Sequence, residues 1–222
     1  MPVQFVRGVS GTPSERSVVV TVIEVFAELG CPFTHVGLRR FVELRNELDR
    51  PDVTLWVRSW PLEIVNGRPL GAQFVAEEID DIRQQVEPDL FEGFDEASFP
   101  ATSLPALTLA AAAYAHDHST GERVSLALRD LLFESGADIA DVAVLQRLAD
   151  EHGLSVDFDD TSRVLADHAE GVDRGVVGSP HFFTPTGGFF CPALDIHRES
   201  SGHLRITADV EGFQEFLHSC LS

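Results

Sequence analysis

Cys31 stands in the segment Gly30-Cys31-Pro32-Phe33-Thr34-His35, directly after a β-rich run and directly before a helical one. A cysteine at a strand-to-helix junction lies on the first turn of the helix. Unpaired N–H groups and the positive end of the helix dipole favour thiolate over thiol there, and the thiolate is the reactive form. Thr34 follows at i+3 and His35 at i+4, the spacings that put side chains on one helical face. The Thr34 hydroxyl is so placed to donate a hydrogen bond to the sulfur. A protonated His35 would stabilise the thiolate, and a neutral one would take its proton. Thr34 also holds the position where a C-x-x-C enzyme carries its second sulfur. The segment has the frame of a redox centre with half of its sulfur. Each residue has a plainer reading beside this one: Cys31 as a leftover in a binding fold, Thr34 as first-turn packing, His35 as a core or surface histidine.

The other cysteines are Cys191 and Cys220. An odd number of widely separated cysteines argues for free thiols in a reducing compartment. Cys191 is expected on the second strand of a hairpin, roughly opposite Phe182. It reads there as a buried small residue or as an unusual resolving cysteine. Cys220 reads as a bystander. His116-Asp117-His118 invites a metal reading, but the alternation ends a helix instead of lying on a strand, and no metal site is expected. Glu28 reads as a solvated strand end. Glu24, inside an apolar strand, is the carboxylate that would matter if it were buried beneath the site.

These residues are positioned by a clear order of elements. The continuous apolar run Ser17 to Phe26 predicts a strand covered on both faces. Val3 to Val6 predicts a short edge strand. Pro32 to Leu48 switches to helical spacing, with Pro32 suited to a first turn. Val53 to Leu62 predicts a second strand, so the start is a β-α-β unit. Helices are expected over Ala72–Val86, Leu104–His116, Arg123–Glu134, Asp141–His152 and Asp159–Gly171. Ser179–Thr184 and Phe189–Cys191 form a hairpin pattern, His203–Thr207 is expected to extend the sheet, and Asp209–Leu221 closes the chain as a helix.

The formal net charge is −20, which disfavours nucleic acid and anionic membrane surfaces as partners. All 16 cationic side chains are arginine, and the absence of lysine excludes a lysine Schiff base. The apolar run Val18 to Ile23 is too short for a signal or a membrane span, so a cytoplasmic protein is expected.

Four ordered segments resemble the DsbA-like branch of the thioredoxin superfamily, in particular cytoplasmic bacterial members related to polyketide-cluster oxidoreductases and 2-hydroxychromene-2-carboxylate isomerases. They are Ile23 to Gly37, Leu55 to Glu63 with Arg58-Ser59-Trp60-Pro61-Leu62-Glu63, Leu128 to Leu154, and Val177-Gly178-Ser179-Pro180-His181-Phe182. The resemblance implies an α/β fold: a thioredoxin-like core with a central mixed sheet and an inserted all-helical subdomain. The expected divisions are residues 1–66 and 173–222 for the core and 67–172 for the insertion. It implies that Pro180 is cis opposite Cys31, and that the Ser179 backbone pairs with a bound peptide or thiol. Pro32, Phe33, Ser179 and Pro180 are then the substrate platform, and Cys31, Thr34 and His35 the catalytic set. Phe33 and Thr34 depart from the family's C-P-W-C.

The leading expectation is a thiol–disulfide oxidoreductase acting as a monothiol, resolved by an external low-molecular-weight thiol. No tightly bound cofactor is expected. Its partners would be a small thiol or disulfide, with protein thiols a further class, and the oligomeric state is left open, a homodimer included. Two rivals remain: an isomerase or thiol-transferase of the 2-hydroxychromene-2-carboxylate isomerase or kappa-class type, and a thioredoxin-fold binding protein without turnover.

Overall fold

A computed structural model describes residues 21–184, 186–200 and 202–221. The expected strand at residues 3–6 and the first residues of the 17–26 run lie outside the described residues. Strand β1 (Thr21–Ala27) and strand β2 (Val53–Ser59) flank helix α1 (Pro32–Glu47). They pair in parallel, from Thr21 opposite Val53 to Ala27 opposite Ser59. Ile23, Val25, Phe26 and Ala27 are fully buried. Burying each large side chain contributes about 1.5–3 kcal/mol, which holds so continuous an apolar strand at the sheet centre. β2 stops at Ser59 because Pro61 follows, and Pro61 caps the short helix α2 (Leu62–Val65).

Five longer helices follow: α3 (Ala72–Gln85), α4 (Leu104–His116), α5 (His118–Phe133), α6 (Val142–Glu151) and α7 (Ser162–Asp173). Helix α5 begins at His118, five residues before the expected start at Arg123. Asp117 turns the chain between α4 and α5, and its carboxylate accepts the Thr120 N–H at 2.8 Å. An acceptor at that position satisfies an otherwise unpaired donor of the first turn. Glu122 on α5 then closes the outer edge of β2, accepting from the Leu55 N–H at 2.6 Å. The α4 hydroxyl of Tyr114 donates to the Leu55 carbonyl.

The chain returns to the sheet through β3 (His181–Thr184) and β4 (Gly187–Phe190). Both neighbouring pairings of β3 are antiparallel, giving a four-stranded mixed sheet of order β2-β1-β3-β4. One face packs on α1 and on the last helix, α8 (Val210–Leu221), where Phe41, Phe182 and Phe216 meet. On the other face α7 approaches so closely that a Cβ at Gly171 would lie 2.6 Å from the Trp60 ring. Arg58 on β2 pins this contact, pairing with Glu24 of β1 and with Asp167 and Glu170 of α7.

Two expectations about the C-terminal region are corrected. The hairpin pairs Thr184 with Gly187, so two residues connect its strands rather than four. Phe182 therefore faces Phe189, and Cys191 lies just beyond β4, where its N–H donates to the Pro180 carbonyl at 3.0 Å. The segment 203–207 does not extend the main sheet. Strand β6 (Leu204–Ala208) pairs antiparallel with β5 (Leu194–Arg198) in a separate two-stranded sheet. This sheet docks on α3, whose Asp81 and Gln85 side chains accept the Leu204 and Ile206 N–H groups. Polar side chains at one spacing on α3 thus take the edge bonds that the main sheet would have supplied.

Candidate active site

Cys31 is the residue immediately before α1, with extended backbone, and Pro32 occupies the first turn. Its Sγ donates to the Ser179 carbonyl at 3.3 Å, and the Ser179–Pro180 peptide bond is cis. The Ser179 hydroxyl accepts the Glu28 N–H at 2.8 Å and shares a 2.8 Å hydrogen bond with the Thr34 hydroxyl. Cys31, Thr34, Ser179 and Pro180 are therefore brought together, by the α1 start on one side and the loop before β3 on the other. Pro32 is buried and Phe33 half-buried, the latter against the apolar core of the insertion.

The sulfur does not have the easy ionisation expected from a helix start. Cys31 is 5 % exposed, and burial pushes its thiol up, against the hydrogen bonds from the Thr34 hydroxyl and backbone that favour the anion. A low-dielectric setting penalises the charged form more than one helix terminus stabilises it. The carboxylate of Glu78 on α3 adds to the upward push. Glu78 is itself raised to about 7 by burial, despite Arg198.

His35 is not turned toward the sulfur. Its ring is buried between Phe91 and Phe133, and Nε2 meets the Glu134 carboxylate at 2.7 Å. Arg39 Nε approaches the same nitrogen to 3.2 Å. Burial lowers its proton affinity, opposed by the Glu134 hydrogen bond. Its link to Cys31 is through the backbone, the His35 N–H donating to the Cys31 carbonyl.

The two glutamates exchange roles. Glu24 sits at the sheet surface, paired with Arg58 and Arg174. Glu28 is the buried one, 2 % exposed beneath the site, with its carboxylate accepting the Gly30 and Leu62 N–H groups. Burial raises its proton affinity despite these bonds. It escapes solvent because α2 and Ser103 close over the end of β1, contacts between segments far apart in sequence. Beside it, Gly30, Glu63, Leu70, Phe99 and Ser103 line a small cavity of about 20 Å³ with Glu28 at its edge. Arg129 on α5, also fully buried, was missed as well. The available signal was a charged residue inside the apolar stripe Val124, Leu128 and Leu132.

Cys191 is 6 % exposed with φ of 44°, and its thiol is pushed up to about 12 by burial and by the neighbouring Cys31. Cys220 lies on α8, among the residues packed with Phe216. All three cysteines are free thiols. His116 is exposed beside Asp117, whereas the His118 ring packs on Trp56 and Tyr114. Among the described residues no helix is long and apolar enough to cross a membrane.

A family profile for the DSBA-like thioredoxin domain matches residues 22–199. Among solved structures, the chain is similar to a candidate protein disulfide isomerase from Nitrosomonas europaea (16 % identity, TM-score 0.57, 90 % of this chain and 96 % of that one). It is also similar to the cytosolic disulfide reductase DsbM from Pseudomonas aeruginosa (14 %, TM-score 0.53, 89 % and 97 %), and to the same protein with GSH (TM-score 0.51). A 2-hydroxychromene-2-carboxylate isomerase matches at 12 % identity and TM-score 0.51, over 76 % of this chain and 88 % of that one. No curated protein matches the sequence.

Proposed function

The chain belongs to the DSBA-like thioredoxin domain family, and on that footing we propose that it is a thiol–disulfide oxidoreductase working through the single sulfur of Cys31. The observation that carries this reading is the position of Sγ, held between the Ser179 carbonyl and the Thr34 hydroxyl at the start of α1, across from cis-Pro180. In the first step the Cys31 proton leaves and the thiolate attacks one sulfur of a disulfide substrate. A Cys31–substrate disulfide forms, and the other half departs as a thiolate. In the second step an external thiolate attacks the substrate sulfur of that mixed disulfide, and Cys31 leaves with the electron pair. The external thiol is needed because Thr34 stands where a resolving cysteine would. The Thr34 hydroxyl steadies the negative sulfur in both steps, as attacking and as leaving group.

The substrate class is a small disulfide or mixed disulfide, with protein thiols as a further class, and glutathione is the natural resolving thiol. The likeness to a cytosolic reductase solved with GSH supports this reading and a cytoplasmic location. Incubation with oxidised glutathione followed by intact and peptide mass spectrometry tests it. One glutathione on Cys31, released by reduced glutathione, is expected. Labelling at Cys191 or Cys220 with Cys31 unmodified would sink it.

A second reading has its own support. The Thr34 and Ser179 hydroxyls are paired beside Cys31, and a 2-hydroxychromene-2-carboxylate isomerase is among the structures of similar fold, which supports a site that binds a thiol cofactor. In that reading Cys31 is dispensable, and isomerisation of an aromatic substrate survives Cys31→Ser.

A further inference from the structure

Arg129 is 1 % exposed in the interior of the fold. Its Nη1 donates to the Ser125 carbonyl and hydroxyl, each at 2.8 Å, and its Nη2 donates to the Glu28 carbonyl at 3.3 Å. Its Nε has no hydrogen-bond partner. Among the described residues every partner of this guanidinium is neutral, and no carboxylate oxygen lies within ion-pair distance. A cation taken fully out of water is costly unless an anion compensates it.

Four ionisable groups face it: Tyr114 from α4, Glu28 and Cys31 from the end of β1 and the start of α1, and its own neighbour Asp130 on α5. Tyr114 is held neutral by burial, its hydroxyl engaged with the Leu55 carbonyl. Asp130 is half exposed and bound to Arg39 at 2.6 Å. That leaves Glu28 and Cys31, the two acids of the site. The Nη2 contact to the Glu28 carbonyl anchors the cation three residues before Cys31, on the core side of the helix start.

We propose that Arg129 is the buried counter-charge of the Cys31 thiolate, a positioning residue that makes the anion affordable at a sulfur otherwise shut away from solvent. The proposal rests on Cys31 being the reactive group. Glu28 competes for the same positive charge, so an ionised Glu28 weakens its hold on the sulfur. From the remaining packed elements Glu78 of α3 opposes the thiolate, and the buried Cys191 thiol, with Arg40 near it, is a neighbour of the sulfur. Burial brings Arg129 itself down to about 10, which leaves it charged near neutrality.

The test is the pH dependence of Cys31 alkylation by iodoacetamide, read by peptide mass spectrometry on the full chain. Arg129→Gln is expected to raise the Cys31 midpoint by about one pH unit or more, and Arg129→Lys to restore most of it. Glu28→Gln, which removes the competing carboxylate, is expected to lower the midpoint. An unchanged midpoint in a cooperatively folding Arg129→Gln protein overturns the proposal. If that variant does not fold, an unchanged or raised midpoint in Glu28→Gln does so instead. Neither readout depends on disulfide exchange, so a protein that fails to take up glutathione still answers the question.

Discussion

Cys31 and Ser179 hold each other across the site: the thiol donates to the Ser179 carbonyl at 3.3 Å, while the Ser179 hydroxyl is tied to Thr34. The carbonyl expected to receive an incoming peptide or thiol is therefore occupied in the resting protein by the nucleophile's own proton.

Thr34 should be felt directly by the sulfur. Removing its hydroxyl in Thr34→Val deletes a donor to the thiolate and preserves shape. A rise of about one pH unit in the Cys31 alkylation midpoint is expected, with the thermal midpoint nearly unchanged. A midpoint equal to wild type would show that Thr34 only packs.

The sulfurs should separate cleanly by role. Cys31→Ser should abolish exchange with oxidised glutathione, whereas Cys191→Ser should keep the rate within about threefold, because its buried thiol is pushed up to about 12 and stays protonated. Stopped-flow release of reduced glutathione measures both. A large loss in Cys191→Ser would make Cys191 the resolving group.

His35 should govern stability toward acid. Its folded-state proton affinity is depressed by burial, so below about pH 6.5 the unfolded chain takes up a proton that the folded one refuses. Glu134 acts with the same sign. Despite burial, hydrogen bonds from His35 and Phe91 hold its carboxyl low, and that contribution is lost as pH falls through the folded value. The thermal midpoint should accordingly drop between about pH 7 and about pH 5. His35→Gln should cost about 1–3 kcal/mol near neutrality and flatten this acid limb. A limb as steep as wild type would assign the effect elsewhere.

The packing of the insertion on the sheet should be sensitive to one methyl group. In Gly171→Ala the new Cβ would lie 2.6 Å from the Trp60 ring and 3.1 Å from Phe26. A loss of about 1–3 kcal/mol in chemical denaturation is expected, since neither ring can move without disturbing the other. A neutral result would mean that α7 shifts freely.

The course of the chain was largely legible beforehand because it follows from local rules. The unbroken apolar run before Cys31 demanded a central strand, Pro32 suited a helix start, and Leu104–His116 carried its own helical pattern. Those rules act over a few residues, so they also placed Cys31 at the junction and Thr34 one turn beyond it. They failed where pairing is non-local. The β5–β6 sheet depends on Asp81 and Gln85 more than a hundred residues earlier, and the register that moves Cys191 opposite Pro180 depends on a two-residue connection.

The sequence by itself determined a helix start at Cys31 and an X-Pro loop at Pro180, since both announce themselves locally, while their facing each other came from the family resemblance. Only the tertiary structure decided their electrostatics. Solvation depends on what covers a group, and the cover over Cys31, Glu28 and Arg129 comes from α2, α3, α5 and the segment after β4. That enclosure reverses the expected ease of forming the thiolate, turns His35 away toward Glu134, exchanges Glu24 for Glu28 as the buried carboxylate, and leaves one guanidinium among two acids.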